Sequence, residues 1–351
     1  MAEQRLNEMV ERTAGYMIGT MVSAGIQLGD TAGLYGAMVG AGPLHADEVA
    51  ERAECNRRLV REWLDGQSAA GLIDYDGDDD RYTLSEEAAM VLAVPDSPAF
   101  LARGIQGLGA AFLDMDKIVA AYQGDGGLAW HEHHPCLFRG VEWFFRPGYR
   151  TFLTADWIPA LKGVEAALND GAVVADIGCG HGASLAVMAE MYSNSSFVGV
   201  DFHAPSVEVA RQRVDEAGVG DRCQFQVADS QTYEGTFDLI CFFDCLHDMG
   251  DPVGALRHAR DLLAPGGSVM LVEPYAMDGR ATNIEQNPFA AMLYHASSMV
   301  CTPNSLSQPV GRGLGAQAGV EKLREVFAEA GFAELHKRAE TPFNLILQGT
   351  G

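Results

Sequence analysis

The stretch Val174-Ala175-Asp176-Ile177-Gly178-Cys179-Gly180-His181-Gly182-Ala183-Ser184 decides the fold. An apolar run carrying an acid leads into three glycines at alternate positions, and a helical pattern then begins. Gly178, Gly180 and Gly182 permit a sharp turn and a close approach of backbone to a ligand, since side chains there would clash. The start of the next helix adds a positive dipole suited to a carboxylate. A dinucleotide site would favour GxGxxG, whereas the spacing here is GxGxG.

From residue 172 onward, short apolar runs alternate with helical stretches. This implies βαβ units and a mostly parallel sheet. Strands are expected at 173–178, 197–202, 223–229, 237–243, 267–273, 333–339 and 343–349, with helices at 204–217, 252–263 and 319–330. No helix fits between the last two strands, so they form a hairpin. Asp176, Asp201 and Asp229 then fall at the ends of three successive strands. Asp201 is placed to hydrogen-bond both hydroxyls of a ribose, and Asp229 to accept from an adenine amino group. A second motif, Asp244-Cys245-Leu246-His247-Asp248-Met249-Gly250-Asp251-Pro252, follows the run at 237–243. It lies at the carboxyl edge, where such sheets bind ligands. The run at 267–273 ends in Leu271-Val272-Glu273-Pro274.

These residues resemble the class I S-adenosylmethionine-dependent methyltransferases over about 172–350, including the antiparallel terminal hairpin of that fold. The resemblance implies that Gly178 and Gly180 approach the methionine part of the cofactor. Asp201 would hold the ribose, Asp229 and Ser230 the adenine with Phe202 flanking it, and Phe243 and Asp244 the methionine end. The His247-Asp248 pair is similar to that of the winged-helix O-methyltransferases of plants and bacteria. By that resemblance His247 takes the proton of a substrate hydroxyl, and Glu273 orients it. Imidazole titrates near neutral pH, and a carboxylate fixes its tautomer and stabilises the imidazolium. That family has an aromatic residue after the His-Asp pair, where this chain has Met249.

Upstream, residues 1–40 read as helix with much of its surface buried, against a second subunit (Tyr16, Met17, Ile18, Met21, Val22, Ile26, Leu28). Residues 46–73 read helix, turn, helix, with Asn56 capping a helix that carries Leu59, Val60, Trp63 and Leu64. Two short strands around the acidic turn Asp76-Gly77-Asp78-Asp79-Asp80 complete a winged-helix pattern. Residues 41–90 hold 13 acids against 5 arginines, and five of those acids crowd the wing. A wing that grips phosphates would be basic, so a structural or dimerising role is expected and nucleic acid is not. The fold expected is therefore α/β: a Rossmann-like class I methyltransferase sheet with a terminal antiparallel hairpin, plus an N-terminal α-helical winged-helix domain. Its divisions are 1–100, a helical linker and acceptor segment at 101–165, and a cofactor-binding domain at 166–351 with an insertion at 275–318.

The acceptor candidates are Trp143, Phe144, Arg146 and Tyr149 in the linker, and Tyr294 and His295 in the insertion, where such insertions cap the acceptor in this fold. Together they suggest an apolar, aromatic pocket. Arg146 suits a substrate carboxylate or a helix cap equally. The stretches Trp130-His131-Glu132-His133-His134, Phe144-Phe145-Arg146-Pro147-Gly148-Tyr149, Cys301-Thr302-Pro303 and Gly313-Leu314-Gly315-Ala316-Gln317-Ala318-Gly319 resemble a bacterial group of methyltransferases with a regulator-like N-terminal domain. That resemblance spans nearly the whole chain and carries no substrate. His247 and His295 also loosely match the histidines of α-keto-acid C-methyltransferases that hold iron. A metal there would favour an enolate. No third ligand is fixed by spacing, so no metal ligand is assigned, and metal-assisted C-methylation of an α-keto acid stands as the first alternative.

Composition bounds these readings. The 351 residues suit two domains. With 48 acidic and 24 basic residues the net charge is −24, which repels phosphate backbones and anionic lipid. No apolar run reaches the ~18–20 residues that span a bilayer, and the start Met-Ala-Glu-Gln-Arg lacks a signal-peptide layout. Seven cysteines without a CxxC pair suggest neither a disulfide framework nor a structural zinc site. The expectation is a cytoplasmic homodimer acting on a small molecule with S-adenosylmethionine, yielding S-adenosylhomocysteine. A regulator that senses this cofactor and binds DNA, and a non-methylating rearrangement, are the remaining alternatives.

Overall fold

A computed structural model of the protein describes residues 2–124 and 126–350. Two compact units divide it: residues 1–110 with 135–147, and residues 111–134 with 148–351. The segment expected as a linker at 101–165 is shared between them. Among the described residues, no helix is long and apolar enough to cross a membrane.

In the first unit the helix Ala2–Thr31 leads into a winged helix. Helices Ala46–Arg52 and Arg57–Ala69 are followed by β1 (Asp74–Asp76) and β2 (Arg81–Thr83), an antiparallel hairpin. Asn56 caps the second helix as expected, its side chain accepting from the main-chain N–H groups of Arg58 and Leu59. Val60, Trp63 and Leu64 enter a core with Tyr35, Met38 and Tyr82, whereas Leu59 is exposed. Trp63 Nε1 donates to the Gly25 carbonyl at 2.8 Å, which pins the long helix to the winged helix. The wing's acidic strand Asp74–Asp76 is exposed. Along the long helix, Tyr16, Met17, Ile18, Met21 and Leu28 are 54–73% exposed in the single chain. Among the described residues these side chains stay uncovered, and the sequence reading gives their cover to a second subunit.

The second unit is built on seven strands: β3 (Val173–Ile177), β4 (Ser196–Asp201), β5 (Cys223–Val227), β6 (Phe237–Phe243), β7 (Leu263–Pro274), β8 (Glu334–Glu340) and β9 (Asn344–Thr350). Their order is β5-β4-β3-β6-β7-β9-β8. β3, β4, β5, β6 and β7 pair in parallel, while β9 runs antiparallel to both β7 and β8. This is the expected Rossmann-like sheet with its terminal hairpin. The apolar runs are buried on both faces: Ile240, Phe242, Val269, Leu271, Leu345 and Leu347 share a core with Leu323, Val326 and Phe327 of the helix Gly319–Ala330. The strand order reverses at β3, with β4 on one side and β6 on the other. Ligands bind at such a switch point, outside the carboxyl ends of the strands. One strand end differs from expectation. β5 stops at Val227, so Asp229 sits two residues further on in a turn, where its Oδ1 accepts from the Gln231 main-chain N–H at 2.9 Å.

Candidate active site

The glycine loop leaves β3 and enters the helix Ala183–Met191. The main-chain N–H groups of Gly178 and Cys179 both donate to the Val200 carbonyl, at 2.8 and 3.0 Å, which ties the loop to β4. Gly178 and Gly180 have left-handed φ values of 72° and 50°. At Gly178 a Cβ would meet Cys245 Sγ at 2.9 Å, so glycine is needed there for packing against the turn after β6. At Gly180 a Cβ would meet nothing within 4 Å. The bare backbone at Gly180 faces the open side, where a ligand would approach.

Two acids flank this loop. Asp176 is 1% exposed, and Ser184 Oγ donates to its Oδ2 at 2.6 Å. Its Oδ1 is buried with no protein partner, and burial pushes the carboxyl up to about 7. Asp201 Oδ2 accepts from the Gly180 N–H at 2.9 Å and Oδ1 from the His203 N–H at 2.8 Å. Burial raises this carboxyl above the usual range, against the pull of those two N–H groups. Each carboxylate oxygen keeps a further lone pair for a hydroxyl. Phe202 is 51% exposed, and the His131 ring stands across it at 6.4 Å. Asp229 is exposed and Ser230 half-buried on the same edge. The orphaned Asp176 oxygen, the open cradle at Gly180 and the spare acceptors of Asp201 fit an adenosyl amino acid.

The second cluster follows β6. His247 lies in the short 3-10 turn Leu246–Asp248, and Glu273 near the end of β7. They are 4% and 3% exposed. His247 Nδ1 and Glu273 Oε2 are 2.5 Å apart, and the His247 main-chain N–H donates to Glu273 Oε1 at 3.2 Å. The carboxylate therefore fixes both the ring and its backbone. Burial opposes charge on the imidazole. Glu273 and the Cys301 sulfur outweigh it, so His247 holds a proton well above the ordinary imidazole range. The neighbouring Asp248 is pushed up to about 7, chiefly by burial.

The turn carrying His247 is held from several sides. Cys245 Sγ donates to the Ile177 carbonyl at 3.1 Å, which joins it to the glycine loop. Asp244 has a left-handed φ of 51°. Its Oδ2 accepts from the Tyr149 hydroxyl at 3.0 Å and its Oδ1 from Asn344 Nδ2 at 2.8 Å. Asp244 thus anchors the turn, and Phe243 packs beneath Tyr149 with ring centroids 5.4 Å apart. Opposite, the helix Thr302–Leu306 grips the chain after His247. Asn304 Nδ2 donates to the Asp248 carbonyl at 3.1 Å and Ser305 Oγ to the Met249 carbonyl at 2.8 Å.

The acceptor candidates divide between the units. Tyr149 opens the π-helix Tyr149–Trp157 and reaches Asp244. Tyr294 accepts from Asn283 Nδ2 at 3.3 Å. His295 is exposed. Trp143, Phe144 and Arg146 lie in the first unit, on the helix Cys136–Gly148. There Trp143 packs against Phe100, Phe144 packs edge-on against Phe145, and Arg146 lies over the Trp143 ring and pairs with Glu142 at 3.7 Å. Among the described residues, no group of three or more His, Cys, Asp or Glu side chains is arranged to hold a metal. Two participants escaped the sequence reading: Ser184 ends the glycine stretch but was given no role, and Asn344 carries no local motif.

Residues 168–331 match the family described as a methyltransferase domain, and residues 19–94 the Rv2258c-like winged HTH domain. The 27-O-demethylrifamycin SV methyltransferase of Amycolatopsis mediterranei is 33% identical over 107 residues, which is 30% of this chain and 39% of that protein. An uncharacterised Synechococcus protein is 32% identical over 34% of this chain and 29% of its own length. The chain thus spans well under half the length of these curated relatives. Among solved structures, an O-methyltransferase family protein from Burkholderia thailandensis aligns with a TM-score of 0.71 at 17% identity, over 99% of this chain and 98% of that one. Human N-acetylserotonin methyltransferase in complex with SAM aligns at 0.68 and 18% identity, over 98% of each chain. The chain therefore carries a methyltransferase domain, preceded in the sequence by an Rv2258c-like winged HTH domain.

Proposed function

We propose that the chain is an S-adenosylmethionine-dependent methyltransferase whose acceptor is a hydroxyl group of a small molecule, with His247 as general base. The observation that carries this reading is the buried His247–Glu273 pair at 2.5 Å, set on the carboxyl edge beside the glycine loop. When bound, S-adenosylmethionine supplies a methyl group on a positively charged sulfur. Asp201 would hold its ribose, Asp229, Ser230 and Phe202 the adenine, and Asp176, Gly178 and Gly180 the amino-acid end. Phe243 would line that end, and Asp244 would support it through Tyr149 and Asn344. Glu273 on Nδ1 leaves Nε2 to take the acceptor's proton, and the resulting imidazolium lies against the carboxylate. Holding the acceptor oxygen in line with the methyl group supplies most of the acceleration. Tyr149, Tyr294 and His295 are the acceptor contacts we assign in this unit.

The test is calorimetric titration with S-adenosylmethionine and S-adenosylhomocysteine, with elemental analysis of the same sample. Binding of both, without stoichiometric metal, supports the reading and directs the acceptor screen to phenols and polyketide-like hydroxyls. Failure of both ligands to bind overturns it. Stoichiometric iron or zinc whose removal abolishes turnover replaces it with C-methylation of an α-keto acid.

We also propose a homodimer joined through the helix Ala2–Thr31, where Leu6, Met9, Val10, Tyr16, Met17 and Met21 are 56–73% exposed. Such a stripe on one helix needs a cover in water. Sedimentation should give twice the 37.6 kDa chain mass, and a monomer at micromolar concentration refutes it. The seven free thiols suit the cytoplasm, which keeps thiols reduced. The acidic wing supports a structural role over DNA binding.

A further inference from the structure

Residues 128–134 form a strap within the second unit, fastened at both ends. Just before it, Gly127 runs close against the helix Thr302–Leu306: its φ is 66°, and a Cβ there would meet the Pro303 carbonyl oxygen at 2.2 Å. The Leu128 N–H donates to that carbonyl at 3.0 Å, and the Trp130 N–H to Asn304 Oδ1 at 2.9 Å. At the far end the His134 N–H donates to Asp114 Oδ2 at 2.6 Å, and Nδ1 of the buried His133 lies 3.3 Å from the same oxygen. Between these anchors Trp130–Glu132 make one 3-10 turn, whose three residues point in three directions. Lys117 Nζ donates to the Glu132 carbonyl, and the Glu132 carboxylate accepts from the Ala129 N–H at 3.0 Å. The turn so held leaves the His131 side chain exposed, with its ring 6.4 Å from that of Phe202 and tilted 78° to it. Phe202 is fixed in its turn by its neighbours, since the His203 N–H donates to Asp201 Oδ1 and His203 Nδ1 lies 2.7 Å from Ser206 Oγ.

We infer that His131 is a further cofactor-binding residue, which forms with Phe202 the corner that receives the adenine ring. The inference rests on the cofactor reading proposed above. Without this residue the adenine end is open: Phe202 is 51% exposed, Asp229 is exposed and Ser230 is half-buried. A site for a ligand of this size encloses most of its surface. Two nearly perpendicular rings suit a flat base, one ring against its face and the other at its edge. The strap's main chain is already tied down, so His131 is presented at little further cost in ordering. The same helix serves both ends of the site. Asn304 accepts from the strap with Oδ1 and donates with Nδ2 to the Asp248 carbonyl, beside His247.

The experiment is calorimetric titration of the full chain with S-adenosylhomocysteine, repeated for His131→Ala and His131→Phe. His131→Ala should weaken binding by about tenfold, the scale of losing one stacking side chain from a base. His131→Phe keeps a flat ring and should recover most of that loss. The Tm of both variants without ligand should match that of the unaltered chain, since the side chain is exposed. Amide exchange of the unaltered chain is the second measurement. Residues 128–134 should exchange more slowly with S-adenosylhomocysteine bound, while β8, at the far edge of the sheet, should not change. If a variant unfolds, this exchange decides. The inference is overturned by a folded His131→Ala that binds as tightly as the unaltered chain, by a phenylalanine that recovers nothing, or by exchange at 128–134 indifferent to the ligand. An unaltered chain that binds neither S-adenosylmethionine nor S-adenosylhomocysteine overturns the cofactor reading and this inference together. One that binds both, with His131→Ala its equal, loses this inference alone.

Discussion

Glu273→Gln removes a charge and almost nothing else. Glu273 accepts twice from His247, at Nδ1 (2.5 Å) and at the main-chain N–H (3.2 Å). A glutamine has one acceptor oxygen and presents an NH2 group to the other donor. A charge-assisted hydrogen bond contributes ~1.5–3 kcal/mol, which corresponds to about ten- to 150-fold in rate. That loss should show in full on the alkaline plateau of kcat/KM, where His247 is deprotonated in both proteins. At lower pH a fall in proton affinity offsets part of that loss. The substitution removes the carboxylate that raises proton affinity, while burial, which lowers it, stays. The acid limb should therefore move to lower pH, and the deficit should shrink there. The assay is S-adenosylhomocysteine release across the near-neutral range, with cofactor affinity measured in parallel and expected to change little. An acid limb that stays in place or moves to higher pH refutes the reasoning, even if the rate falls.

The same pair sets a stability trend. A folded-state proton affinity above the ordinary value of 6.5 gives stabilisation that is full below that pH and is lost as pH rises through the folded value. The difference in Tm between the unaltered chain and Glu273→Gln should narrow as pH rises; a difference that widens would contradict it. Asp176→Asn should flatten the pH dependence of stability between 3.8 and about 7, because a buried carboxyl with a raised pKa costs stability as pH rises through that window; urea melts at its two ends check this. Gly178→Ala and Gly180→Ala should part company. The first meets Cys245 at 2.9 Å and should lose stability by ~1–3 kcal/mol beyond the backbone strain. The second bears only the left-handed cost of ~1–2 kcal/mol, yet should weaken S-adenosylmethionine binding more than its stability loss accounts for. Asp244→Ala withdraws the acceptor from Tyr149 and Asn344 and should cost ~2–4 kcal/mol in denaturant melts.

The sequence by itself determined the layers and the chemistry close to each strand end. Alternation of short apolar runs with helical stretches located the inner strands of the main sheet, because strands buried on both faces need continuous apolar runs, whereas the edge strands β5 and β8 are only partly buried. The glycine spacing determined the loop after β3, since left-handed φ values at Gly178, Gly180 and Gly182 are written in residue type. His247 and Glu273 were legible as a pair through motif position. Their separation was not, because residues 26 apart in sequence meet only when β6 and β7 pair. Tertiary structure alone decided that Asp244 is anchored by Asn344 and Tyr149, each roughly a hundred residues away. It also left the apolar stripe of the first helix uncovered, since periodicity reveals which face must be hidden but not what hides it. Local pattern specifies elements and their ends, whereas long-range side-chain contacts specify what each group can do, and those depend on strand order and register.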